Sequence, residues 1–184
     1  PWTVVSVVDA KSGEVVSSFL DRTVDESQRG LAMTMTSVPF AIGSGPVLAG
    51  MHSWSDTLRI FDLPSGRQLH QLAVPIPGFT YEGTVPSPET LAMLRVVRKV
   101  AIVPDGGFLV QYAVPTMNQL AEEYGLLLLS RDGDVVDHRR PVPELLDVRW
   151  PELFFADSTG LAPEEITVME YRQGDRSGTM DAPL

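Results

Sequence analysis

Residues 57–74 read TLRIFDLPSGRQLHQLAV, and residues 4–20 read VVSVVDAKSGEVVSSFL. Each is an apolar run ending in Asp, followed by two variable residues, Ser-Gly, and a second run of strand-forming residues. Asp62 stands to Gly66 as Asp9 stands to Gly13. The pattern predicts a β-hairpin, because two strand-propensity runs flank a short loop whose glycine can take a positive φ. An Asp at the loop entrance closes such a turn by accepting backbone N–H groups further along it. LLLLSRDGDVVDHRR (126–140) is a third, looser copy, with Asp132-Gly133 at its turn.

Other hairpin-like stretches lie between these units. KVAIVPDGGFLVQYAV (99–114) is a strand, a Pro-Asp-Gly-Gly turn and a strand. MTMTSVPFAIGSGPVLAGM (33–51) surrounds Gly43-Ser44-Gly45, and LFFADSTG (153–160) with EITVMEYR (165–172) makes a further strand pair. Two stretches of four strands result, roughly 31–74 and 98–140, with half a unit before them and about three-quarters of a unit after. Four short antiparallel strands per 40–50 residues is the period of a β-propeller blade. The expected organisation is one domain over 1–184: a half blade (1–30), a blade (31–75), an insertion (76–97), a blade (98–141), a partial blade (142–174) and a flexible tail (175–184). Three stretches carry helix signals: SPETLAMLRVVRK (87–99), with Ser87 as N-cap and Pro88 behind it; TMNQLAEEYG (116–125), ended by Gly125; and PVPELLD (141–147), one turn. The expected core is Val5, Val7, Leu58, Ile60, Ile102, Leu109, Leu127, Leu129, Phe154, Ile166 and Val168, with the turns at Gly13, Gly66 and Gly133 exposed.

Composition sets the outer limits. A chain of 184 residues with 43% hydrophobic and 21% charged residues has the make-up of a globular domain with a real core. It has no cysteine, hence no disulfide, thiolate metal site or cysteine nucleophile. The formal net charge of −10 argues against nucleic-acid and anionic-membrane partners, which need a basic face. No run approaches the roughly 18 apolar residues that span a bilayer.

These residues also carry a resemblance. TLRIFDLPSGRQLHQL resembles the third and fourth strands of WD-type propeller blades, with Phe61-Asp62 in place of Trp-Asp, and VVSVVDAKSGEVVSSF looks like the same element. The Gly-His dipeptide typical of WD repeats precedes neither copy. LLLLSRDGDVVDHRR and VAIVPDGGFLV are similar to blades of NHL-type and bacterial six-bladed propellers. The resemblance implies an all-β, β-propeller-like fold of about three and a half four-stranded antiparallel blades with one or two short connecting helices; an open β-sandwich is the alternative. Three and a half blades do not close a ring. The chain opens on Pro1 and enters a strand-like run at once, so the expectation is the C-terminal half of a longer propeller; a homodimer, or terminal strands that complete one another, are the other solutions. The resemblance further suggests an exported protein, while the residues themselves leave the compartment open.

No catalytic set assembles. Ser53 or Ser55, His52 and Asp56 are too close in sequence to reach triad geometry, and no nucleophile elbow is present. Asp132, Asp134 and Asp137 form an acidic turn without the ligand series of a calcium loop, and no His/Glu zinc spacing occurs. The candidate binding residues are His52, Trp54 and Asp56, in a loop between strands, and Arg95 and Arg98, which with Lys99 form a small cationic cluster on the candidate helix 87–99 able to grip carboxylates. The function expected is a non-catalytic binding or scaffold module that presents blade-end loops to a protein partner or a small ligand. The alternative is a metal-dependent hydrolase or lyase of the lactonase-like propeller kind. No cofactor is assigned.

Overall fold

The computed structural model describes residues 5–20, 38–79, 87, 90, 93–115, 123–156 and 166–172. The fold is all-β and propeller-like. Among the described residues four antiparallel sheets follow one another along the chain. The first pairs β1 (Val5–Val8) with β2 (Val15–Phe19). The second runs in the order β3 (Phe40–Ile42), β4 (Val47–Gly50), β5 (Thr57–Asp62), β6 (Gln68–Ala73). The third runs in the order β7 (Val96–Ile102), β8 (Phe108–Val114), β9 (Glu123–Leu129), β10 (Val135–Val142). The fourth holds β11 (Leu145–Arg149), β12 (Glu152–Ala156) and β13 (Ile166–Glu170). Every pairing joins sequence neighbours, so each sheet starts on one edge and ends on the other.

The repeated sequence unit is a repeated structure. In β1–β2, Val7 pairs with Ser17 and Val8 with Val15, so Val16 is an extra residue. In β5–β6, Ile60 pairs with His70 and Phe61 with Gln68, and the extra residue is Leu69. In β9–β10, Leu128 pairs with Asp137 and Leu129 with Val135, and the extra residue is Val136. One bulge therefore recurs at one place in three hairpins. The turns match too. Gly13 and Gly66 have φ of 75° and 69°, and each donates its N–H to the carbonyl of the entrance Asp at 2.9 Å. The Asp9 carboxylate accepts the N–H groups of Ser12 (2.8 Å) and Lys11 (2.9 Å), and that of Asp62 accepts from Ser65. These bonds hold both carboxyls below their usual range, through Ser12 first at Asp9 and the Ser65 hydroxyl first at Asp62.

The sheets pack face to face, and alternation along each strand divides their side chains between two neighbours. From β8 and β9, Phe108, Val110, Tyr112, Leu127 and Leu129 enter a core shared with Ala49, Leu58 and Ile60 of the second sheet. The intervening Leu109, Leu126 and Leu128 enter a core shared with Leu145, Leu153 and Phe155 of the fourth. Phe19 of the first sheet meets Phe61 of the second edge-on, with ring centroids 5.4 Å apart, beside Leu20 and Leu48. A strand covered on both faces has no polar side, which is why β8 is buried at every residue.

Of the expected core, Leu58, Ile60, Leu109, Leu127 and Leu129 are buried, while Val5, Val7, Ile102 and Phe154 are half-buried. Ile166 and Val168 are exposed. In the fourth sheet Leu153 and Phe155 face the third, which turns Phe154, Ile166 and Val168 outward. Gly13 is exposed and Gly66 and Gly133 half-exposed.

Strands take up part of each stretch that carries helix signals. Among the described residues of 87–99, Thr90 and Met93 are helical, and Val96 already belongs to β7. Val97 and Val100 share a core at a helix-like spacing of three because the pairing skips Arg98 between Val97 and Lys99. Gly125 ends no helix; it lies inside β9, where any Cβ would collide with the Tyr112 ring. Residues 116–122 lie outside the described residues. PVPELLD is the end of β10 and the start of β11. The buried Gln111 amide donates to the Pro143 carbonyl (2.8 Å) and accepts from the Leu145 N–H (2.9 Å), occupying backbone groups a helical turn would use. The expected tail (175–184) and residues 21–30 of the half blade also lie outside the described residues. Among the described residues no helix is long and apolar enough to cross a membrane.

Candidate functional site

The first strands of the second, third and fourth sheets converge. β3 lies against β7, and β3, β7 and β11 with the residues just after them line an open groove of about 710 Å³. Its apolar wall includes Phe40, Ile42, Ile102 and Trp150. Phe40 and Ile42 are exposed, although their strand is paired on one side and packed against β7. An exposed Phe and Ile on a concave surface are the side chains a ligand would cover.

Lys99, Asp147 and Arg149 are the ionisable groups among the described lining residues. The Lys99 ammonium donates to the Leu146 carbonyl, tying β7 to β11. Asp147 accepts the N–H of Val148 at 2.9 Å and the Arg149 Nε–H at 3.3 Å. The Val148 bond first, and then Arg149 and Lys99, hold its carboxyl below the usual range. The Arg149 guanidinium lies 5.2 Å from the centre of the Phe154 ring. Two cations therefore meet one carboxylate here, on a chain of net charge −10. Such a surface accepts an apolar body with an anionic or hydrogen-bonding end.

A second polar cluster sits where the second and third sheets meet. The Tyr112 hydroxyl and His138 Nε2 are 2.8 Å apart, across β9 at Gly125. Burial pushes the Tyr112 phenol above its ordinary value, against the pull of Arg95 and Arg140. Burial, and then Arg140 and Arg95, hold the His138 imidazole below its own, against the pull of Asp137. Both side chains are thereby favoured neutral, and the pair is an uncharged hydrogen bond. Arg140 is satisfied by Glu123 at 2.5 Å. The Arg95 guanidinium packs on Gly78, and one of its nitrogens is buried with no hydrogen-bond partner among the described residues.

Three of the residues singled out in the sequence, His52, Trp54 and Arg95, fall near this second cluster. His52 and Trp54 stack with ring centroids 5.6 Å apart in the loop between β4 and β5, and Trp54 is buried. That loop is tied to the start of β7 by the Val97 N–H donating to the Ser53 carbonyl at 2.6 Å, just beyond Arg95. Asp56 is exposed; its carboxylate accepts from the Thr57 hydroxyl at 3.1 Å and its carbonyl from the Val74 N–H at 2.6 Å. Arg98 is exposed at the β7 irregularity. None of the five lines the groove. Lys99, the third member of the cationic cluster named from the sequence, does line it; the other groove residues carry no shared motif, and the one common signal of β3, β7 and β11 is that each opens a sheet. Among the described residues no group of three or more His, Asp or Glu side chains is placed to hold a metal ion.

No protein-family model matches this chain, and no curated protein matches it. Among solved structures the chain is similar to hydrazine synthase of Kuenenia stuttgartiensis, at 17% identity and a TM-score of 0.38, over 91% of this chain and 56% of that one. The chain thus spans little more than half the length of that structure.

Proposed function

We propose that the chain is part of a β-propeller-type repeat protein that acts as a non-catalytic binding module, and that the groove between the first strands of successive sheets receives the ligand. One observation carries this reading: three sheets contribute their opening strands to one concave surface, which keeps Phe40 and Ile42 exposed beside Lys99 and Arg149. The occupant it suits is a small ligand or peptide segment with an apolar body and an anionic group.

Anilinonaphthalene sulfonate, an aromatic anion, is a direct probe. Saturable binding at one site per chain is expected, with energy transfer from Trp150. Ile42→Glu weakens it by about tenfold or more, the loss expected when one apolar side chain leaves the contact. Val168→Arg, outside the groove, leaves it unchanged. Binding indifferent to Ile42→Glu in a folded protein, or no saturable binding, overturns the reading.

A further inference from the structure

Two aromatic side chains flank the groove. Phe40 comes from β3 of the second sheet and Trp150 follows β11 of the fourth, with β7 of the third sheet between them. Phe40 is 47% exposed. Trp150 is half-buried, and its ring lies on that of the buried Tyr171, with centroids 4.9 Å apart and 32° between the planes. The part of the indole that the groove reaches is the part Tyr171 leaves uncovered. Tyr171 is itself fixed from three sides. Its N–H donates to the Pro151 carbonyl at 2.8 Å, which ties it to the residue after Trp150. Its hydroxyl donates to Asp137 at 3.0 Å. The Arg139 guanidinium, held by the same carboxylate oxygen at 2.9 Å, lies 4.9 Å from the centre of the Tyr171 ring. The indole therefore rests on a hydrogen-bonded support and loses little freedom when a ligand meets it.

The rest of the lining narrows the ligand further. Apart from the indole N–H, Ser44 is the one uncharged hydrogen-bonding side chain among the described lining residues. A sugar acid would bury hydroxyl groups there without partners, which is costly. A linear aliphatic acid suits the polarity but must freeze its torsions in an open groove. A flat ring has no such torsions to lose, and it meets an aromatic wall in offset-stacked or edge-on contact. The charge lies next to the indole in the chain: Asp147 engages Arg149 through Nε at 3.3 Å, so the terminal guanidinium nitrogens are the ones a ligand carboxylate would meet.

Resting on the groove as the binding site, we infer that its ligand class is the aromatic acids: a planar ring lies against Trp150, with Phe40 on the other flank, and its carboxylate meets Arg149. Trp150 selects for the ring. Tyr171 is a positioning residue that acts through Trp150.

Calorimetry of the whole chain with naphthoate and decahydronaphthoate tests this, because the two acids share a fused-ring skeleton and a carboxylate. Burial of apolar area alone makes the saturated acid at least the equal of the aromatic one, whereas stacking reverses the order. Naphthoate is expected to bind about tenfold more tightly, and glucuronate to show no measurable binding. Trp150→Leu should bring the two ring acids to within about twofold of each other by weakening naphthoate alone. Tyr171→Phe keeps the ring but drops the bond to Asp137, and should narrow the preference by about threefold; a merely structural change would weaken both acids alike. Should Trp150→Leu fail to fold, nuclear Overhauser contacts between bound naphthoate and the Trp150 indole are expected in the wild type, and their absence overturns the inference. Equal affinities for the two ring acids, tighter binding of glucuronate, or a preference that survives Trp150→Leu overturns it too, and leaves the groove as a binding site so long as Ile42→Glu still weakens the probe. Failure of both ring acids to bind likewise overturns it, and the groove itself is ruled out only when anilinonaphthalene sulfonate also fails to bind.

Discussion

β8 and β13 are both paired strands of antiparallel sheets, yet β8 is buried at all seven residues while β13 alternates between exposed and half-buried along its length. Composition separates them only in part: FLVQYAV holds one polar residue, Gln111, and it is buried, while in ITVME the apolar Ile166 and Val168 are exposed along with Glu170. The difference is what stands on each side. Among the described residues β8 has a sheet on both faces, and β13 has the third sheet on one face only. Burial in this fold belongs to the stacking of sheets rather than to the strand, and a polar residue such as Gln111 is tolerated inside because the segment it faces supplies a carbonyl and an N–H.

The largest effect should appear where that contrast is sharpest. Leu109→Ala opens a cavity between the third and fourth sheets and should cost about 2–5 kcal/mol in denaturant unfolding, whereas Val168→Ala should stay within about 0.5 kcal/mol. Equal costs would erase the distinction between covered and open faces. Next comes Gly125→Ala, which drives a methyl group into the Tyr112 ring and should cost about 1–3 kcal/mol. That cost should shrink in a Tyr112→Ala background, and a double-mutant cycle measures the coupling. The smallest effect is a pH slope at the junction of the third and fourth sheets. Burial first, and then the bond donated to Asp137 at 3.0 Å, push the Tyr171 phenol up to about 12. The folded state therefore keeps a proton that the unfolded chain releases near 10, so this contribution is complete below pH 10 and is lost as pH rises toward 12. Tyr171→Phe should flatten the stability profile over that window; an unchanged slope would place its origin elsewhere.

How much of this the sequence discloses depends on where the information lies. The hairpins at Asp9–Gly13 and Asp62–Gly66 are legible because their determinants are local, a carboxylate that closes the turn and a glycine at positive φ. β7 is not, because one skipped residue gives Val97 and Val100 the spacing of a helix. Gly125 and Gln111 are illegible for a different reason: each answers to a residue on another strand, Tyr112 or the 143–145 segment. Phe154, Ile166 and Val168 are sound strand residues assigned to the wrong face, since alternation fixes two faces without saying which is covered. Of the candidate site, His52, Trp54 and Arg95 were drawn from loops and strand starts that the fold gathers in one neighbourhood. The groove depends on which strand opens each sheet, and only the assembled topology reveals that.

The recurring bulge has a kinetic side. β6 and β10 are the last strands of their sheets, so each offers a row of backbone groups to any passing chain. An extra residue placed early in β2, β6 and β10 bends the strand and disrupts the ladder next to the turn. It makes each outer rim a poor template for a further strand during folding, when several such rims are bare at once. Fibrillar misassembly by lateral strand addition is thereby disfavoured at the place where a repeated β unit would otherwise be most exposed to it.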